Sequence, residues 1–134
     1  PRSRGLGDVY KRQSEYPELV SVFNAMISHP YNVAGKGHFD TKFISALKGN
    51  AVTKGGGESI RGIALKNRDG KNLGIALKVL DGSPRAMPTG VITLLEHLEL
   101  LTKEELSNLK EFNTRERKNC RGKNVGQVEV YIES

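Results

Sequence analysis

The chain has 134 residues, 37% of them hydrophobic and 27% charged, with a formal net charge of +6 and one cysteine. That length suits one small domain that buries about two-thirds of the surface its unfolded chain exposes, and the lone Cys120 excludes an internal disulfide and any multi-cysteine metal site. No apolar run approaches the ~20 residues of a membrane span and no secretory core region is present, so the expected location is cytoplasmic, with no membrane partner.

Residues 1–13 are set aside from the fold as an expected disordered artefact. Asp8 to Gln13 back-translates to GAT GTG TAT AAG AGA CAG, which resembles the end of a transposase-library sequencing adapter. Arg2, Arg4, Lys11 and Arg12 against Asp8 account for half of the net charge, so the high isoelectric point belongs largely to this segment. The remaining basic run, Arg115 to Lys123, lacks interleaved aromatics and reads as a solvated loop, so no nucleic-acid partner is expected.

From Ser14 to His29 the apolar residues Tyr16, Leu19, Val20, Phe23, Met26 and Ile27 recur at helical spacing, with Pro17 suited to the first turn and Pro30 as the stop. A turn through Gly35 and Gly37 leads to a second helix with Phe39, Phe43, Ile44 and Leu47 on one face and Asp40 or Thr41 as its N-cap, ending at Gly49-Asn50. Ser59 to Lys66 and Leu73 to Leu80 read as two strands around Asp69-Gly70, a dipeptide that favours a tight hairpin turn. Met87 to Leu101 reads as a helix, and Thr102-Lys103-Glu104-Glu105 as the capping box of another that ends near Phe112. Asn113 to Asn124 reads as a charged loop, and Val128, Val130 and Ile132 alternate as a final strand. Helices, hairpin, helices and strand in that order predict an α+β domain with an antiparallel sheet packed with helices over residues 14–134.

Serine-lysine amide chemistry needs a hydroxyl beside an amine that accepts its proton, which on one helix means Ser-x-x-Lys spacing. Ser45/Lys48 and Ser107/Lys110 match, but both fall on ordinary amphipathic helices and read as chance matches. Lys54 is different. It precedes Gly55-Gly56-Gly57 at the entrance to the hairpin, on a rigid strand edge where backbone without Cβ allows close approach. The glycine-rich edge also offers N–H groups toward an oxyanion or a substrate carboxylate. The alternative is an exposed strand residue beside a glycine turn. Three scattered histidines, His29, His38 and His97, and one cysteine do not make a metal site.

His29-Pro30, Val33-Ala34-Gly35, Phe39-Asp40-Thr41, Lys54 with Gly56 and Glu58, Leu73 to Lys78 with Asp81-Gly82, Arg85-Ala86 and Asn119 to Gly126 occur in an order that resembles the C-terminal half of the bacterial asparaginase II family, the thermolabile, rhizobial type. The resemblance spans Ser14 to Ile132. It implies hydrolysis of L-asparagine to L-aspartate and ammonia on a fold similar to serine β-lactamases and bacterial glutaminases. It implies two Ser-Lys pairs, of which this fragment holds one lysine: Val52 to Glu58 matches the family's Gly-Lys-x-Gly-Ala-Glu segment, which makes Lys54 the catalytic residue to carry over. The serines and the other lysine belong to an N-terminal half outside this chain. Thr53, Gly57 and His38 stand where the family commonly has glycine, alanine and arginine, and Asp40 where some relatives have cysteine. A zinc ion in the full-length protein would take its ligands from the other half, so no cofactor is expected within the fragment. No substrate-binding residue is assigned. L-Asparagine is the expected partner, and a homodimer the assembly to test. Two rivals stand beside this reading: a related serine amidase or β-lactamase-like hydrolase, and a non-catalytic binding module.

Overall fold

Residues 17–66, 72–113 and 116–133 are described by a computed structural model, in two units that divide after Gly82. The adapter-like residues 1–13, the expected helical start at Ser14 to Tyr16 and the Asp69-Gly70 turn lie outside the described residues.

In the first unit, helix α1 spans Pro17–Ser28. Pro30 does more than stop it. As the first residue of a second short helix, α2 (Pro30–Ala34), it sits where a missing N–H costs nothing and its fixed φ suits helical geometry. Gly35 and Gly37, at φ 87° and 75°, turn the chain into α3 (Phe39–Ala46). The N-cap is neither Asp40 nor Thr41 but His38, whose Nδ1 accepts the Asp40 N–H at 3.4 Å. Asp40 is thereby the second residue of the helix, free to direct its carboxylate elsewhere. Thr41 Oγ1 donates to Gly35 O at 2.7 Å and ties the helix to the preceding turn. Phe39, Phe43, Ile44 and Leu47 are buried as the helical spacing predicts.

Three strands follow as an antiparallel meander: β1 (Ala51–Gly56), β2 (Ile60–Lys66) and β3 (Asn72–Lys78), in the order β1-β2-β3. The expected hairpin is the β2–β3 pair, with Lys66 opposite Asn72. β1 is an additional strand. Ala51, Val52 and Thr53 are all buried, so both faces are covered and no polar-apolar alternation marks the segment. On β3 the alternation survives, with Leu73, Ile75 and Leu77 half-buried and Gly74 and Ala76 exposed. Phe23 of α1, Ile44 of α3, Val52 of β1 and Ala64 of β2 meet as a core cluster, joined by Met26, Ile27 and Val33. Each large side chain buried here contributes about 1.5–3 kcal/mol.

The second unit begins with α4 (Met87–His97), four residues shorter at its C-terminus than the apolar run to Leu101 predicts. Glu99 adopts φ 54°, which ends the helix, and Leu98 is left about half exposed. Thr102 then starts α5 (Lys103–Asn108) through the expected capping box: its Oγ1 accepts the Glu105 N–H at 3.1 Å while Glu105 Oε2 accepts the Thr102 N–H at 2.7 Å. A 3₁₀ turn at Lys110–Phe112 follows, tied back to α4 by Thr89 Oγ1 donating to Phe112 O at 3.3 Å.

The tail corrects the sequence reading. The expected loop contains β4 (Glu116–Lys118) and leads at its last residue into β5 (Asn124–Gln127), which pairs with β4, whereas 128–133 carries no regular structure. Asn119 Oδ1 accepts the N–H groups of Arg121 and Lys123 at 3.0 Å each, and Gly122 at φ 75° completes the turn that pairs the two strands. Val128 to Ile132 has the alternation of a strand but no partner strand among the described residues, and alternation without pairing does not make one. The architecture is α+β with antiparallel sheets. No helix among the described residues is long and apolar enough to cross a membrane.

Candidate functional site

Lys54 lies near the end of β1, opposite Gly62 of β2. Strand alternation places it with Val52 on the face that α1 packs against, and Thr53 and Gly55 on the other. Its side chain is 60% exposed. It borders an open groove of about 530 Å³, with walls from Val22 and Met26 of α1, Val33 of α2 and Val52, and polar edges from His29 and Asn32. Gly62, without a side chain, leaves the strand opposite Lys54 open to this groove.

Beside Lys54 stands a buried charge that sequence spacing alone did not assign to the site. Asp40 is fully buried. Its Oδ2 accepts the Gly55 N–H at 3.1 Å and lies 3.9 Å from Lys54 Nζ, and its Oδ1 accepts from Arg61 Nη1. Arg61 lies directly opposite Gly55 in the β1–β2 register and is only 7% exposed, so its side chain crosses β1 at the position that has no side chain of its own. A Cβ at Gly55 would stand 3.1 Å from Arg61 Nη2. Arg61 is held on two further sides, donating to Thr53 Oγ1 at 3.0 Å and placing its guanidinium carbon 4.7 Å from the centre of the Phe39 ring. Thr53 Oγ1 in turn donates to Gly62 O at 3.1 Å. His38 Nδ1 is 4.0 Å from Asp40 Oδ2, and His38 is more than half exposed.

A carboxylate removed from water is tolerated only when it is paired and hydrogen-bonded, and Asp40 meets both conditions through three elements, α3, β1 and β2. The first turn of a helix is also where negative charge is favoured. The arrangement fixes the strand around Lys54 and gives its exposed amine an anionic neighbour. It also uses the Gly55 N–H, so the expectation that this edge offers free donors to an oxyanion does not hold at Gly55.

Neither Ser-x-x-Lys match is a pair on one helix. α3 ends at Ala46, before Lys48, and Ser45 Oγ donates to Thr41 O at 2.8 Å. α5 ends at Asn108, before Lys110, and both Ser107 and Lys110 are exposed. The turn between β1 and β2 holds two consecutive non-glycine residues in the left-handed region, Glu58 at φ 52° and Ser59 at φ 55°, each at a cost of about 1–3 kcal/mol. Lys78 Nζ clasps this turn, donating to Glu58 O and standing 3.5 Å from its carboxylate. Ser59 Oγ is buried there without a hydrogen-bond partner among the described residues.

The Arg61 contribution has one sequence signal, a charge inside the apolar strand Ile60-Arg61-Gly62-Ile63-Ala64-Leu65. A buried arginine needs an acid, but Asp40 is 21 residues away and nothing local selects it.

A family model described as L-asparaginase II matches residues 4–130, nearly the whole chain, and the chain belongs to that family. No curated protein matches it significantly.

Proposed function

From this membership of the L-asparaginase II family, we propose that the chain carries the lysine side of a Ser-Lys amidohydrolase that converts L-asparagine to L-aspartate and ammonia. The supporting observation is the setting of Lys54, an accessible amine at the mouth of a groove, on a strand held rigid by the buried Asp40–Arg61 pair. The nucleophilic serine comes from polypeptide outside this chain.

In this reading the serine hydroxyl oxygen attacks the side-chain amide carbon, and its proton passes through Lys54 to the departing nitrogen. The C–N bond breaks, ammonia leaves, and an acyl ester remains on the serine. Water then attacks the ester, gives its proton back along the same route to the serine oxygen, and releases aspartate. A positioned proton-transfer group supplies about 10²- to 10⁴-fold of such a rate. Among the described residues no group of three or more His, Cys, Asp or Glu is placed to hold a metal ion.

The test is ammonia release from L-asparagine. The complete polypeptide is expected to turn the substrate over and the 134-residue chain alone to release none. Turnover by the chain alone would bring the unpartnered Ser59 forward as nucleophile, and no turnover by the complete polypeptide would favour a binding module.

A further inference from the structure

We propose that Asp40 is the positioning residue for Lys54, and that Arg61 is what allows it to serve as one. The inference rests on the reading of Lys54 as a proton-transfer group and adds two residues to that site. Asp40 restrains Lys54 twice with the same oxygen. Oδ2 accepts the N–H of the next residue, Gly55, which fixes the strand, and it faces Lys54 Nζ at 3.9 Å, which selects among the rotamers of an otherwise exposed side chain. An exposed lysine with no neighbour samples many rotamers, and proton transfer needs one of them.

Arg61 is what lets a carboxylate stand buried at that place. Its guanidinium stays charged throughout, lies on the other oxygen of the same carboxylate, and is confined by Thr53 and Phe39. The buried pair is therefore neutral overall. Lys54 feels a nearby negative oxygen that orients it and a positive group behind that oxygen that weakens the hold. His38, with Nδ1 4.0 Å from the same Oδ2, is the other titratable group facing Asp40. Gly55 completes the device, because any side chain there would meet the arginine on its way across the strand.

The substitution that separates charge from shape is Asp40→Asn, which keeps an acceptor for the Gly55 N–H and removes the negative charge. Competitive acetylation of the 134-residue chain with a trace amine reagent reads the reactivity of each lysine, with the exposed Lys36 and Lys110 as internal references. In the wild type, Lys54 is expected to react more slowly than Lys36. In Asp40→Asn its rate should rise about fivefold, as loss of one partly screened attraction implies, with Lys36 and Lys110 unchanged. In the complete enzyme the same substitution should lower kcat by ~10- to 100-fold with KM nearly constant, the signature of lost alignment rather than lost substrate binding. Equal Lys54 rates in wild type and folded Asp40→Asn would overturn the proposal, as would a raised KM with kcat unchanged. Should the variant not fold, a wild-type Lys54 that reacts as fast as Lys36 overturns it too. If the labelling contrast is present but Lys54→Met leaves the complete enzyme active, the restraint on Lys54 stands and the catalytic reading of Lys54 falls.

Discussion

Arg61→Met tests how much of the first unit depends on the buried ion pair. The methionine approximates the length of the aliphatic stem, so packing on Phe39 is largely kept while the guanidinium is lost. Asp40, with no exposed surface, would then retain, among the described residues, the Gly55 N–H at 3.1 Å, the partly exposed Lys54 amine at 3.9 Å and the His38 ring at 4.0 Å. Removing one partner of a buried pair costs about 3–5 kcal/mol. Lys54 is more than half in water and offsets little of this. Set against a typical total of about 5–15 kcal/mol, the loss is enough to make the unit marginal. Asp40→Leu combined with Arg61→Met removes both charges and should lie within about 2 kcal/mol of wild type, since an apolar pair in the same space is often neutral. Urea unfolding followed by circular dichroism, with all four members of the cycle, measures this. Additive losses, or an Arg61→Met loss below about 1 kcal/mol, would show that Asp40 is not compensated by Arg61 and would refute the reasoning.

Gly55→Ala and Gly56→Ala should both be costly. An added Cβ at Gly56 meets Ile60 Cγ2 at 2.7 Å, a branch methyl bonded directly to the Cβ of a side chain that is stiff about χ1, so about 1–3 kcal/mol should be lost. The Gly55 contact at 3.1 Å is longer, yet Arg61 is held by Asp40 and Thr53 and cannot yield, so about 1–3 kcal/mol should be lost; chemical denaturation measures both. Thr102→Ala removes the capping-box hydroxyl and should lower the stability of the second unit by about 1 kcal/mol, with no effect on the acetylation rate of Lys54. Phe43→Ala, at a fully buried position of α3, should cost about 3–5 kcal/mol by the same denaturation assay.

Local signals carried much of this architecture. The capping box at Thr102, the apolar faces of α1 and α3 and the β2–β3 hairpin each follow from residues within a few positions of one another. The glycine-rich setting of Lys54 is legible for the same reason, as three glycines follow the lysine directly, although the extent of the strand that carries it is not. What escaped was non-local. β1 is covered on both faces, which erases its period, and the β4–β5 hairpin depends on one asparagine side chain closing a turn within a run of charges. Asp40 looked like a cap because acids begin helices, but His38 occupies the cap, and the carboxylate is claimed by an arginine from β2. That pairing is set by the register that places Arg61 opposite Gly55, and register exists only once the sheet has formed. The apolar tail at Val128 to Ile132 failed for the complementary reason, since its alternation has no described strand to pair with.

The most direct test of the account compares three lysine substitutions in the complete polypeptide that the proposed function calls for, each removing one positive charge. Lys54→Met should lower kcat for L-asparagine by ~100-fold or more, the range of a lost proton-transfer group. Lys48→Met and Lys110→Met, at exposed positions outside the site, should remain near wild type, with stability changes within about 0.5 kcal/mol. Equal activity in all three would contradict the central claim and leave Lys54 as a strand residue at the edge of a groove.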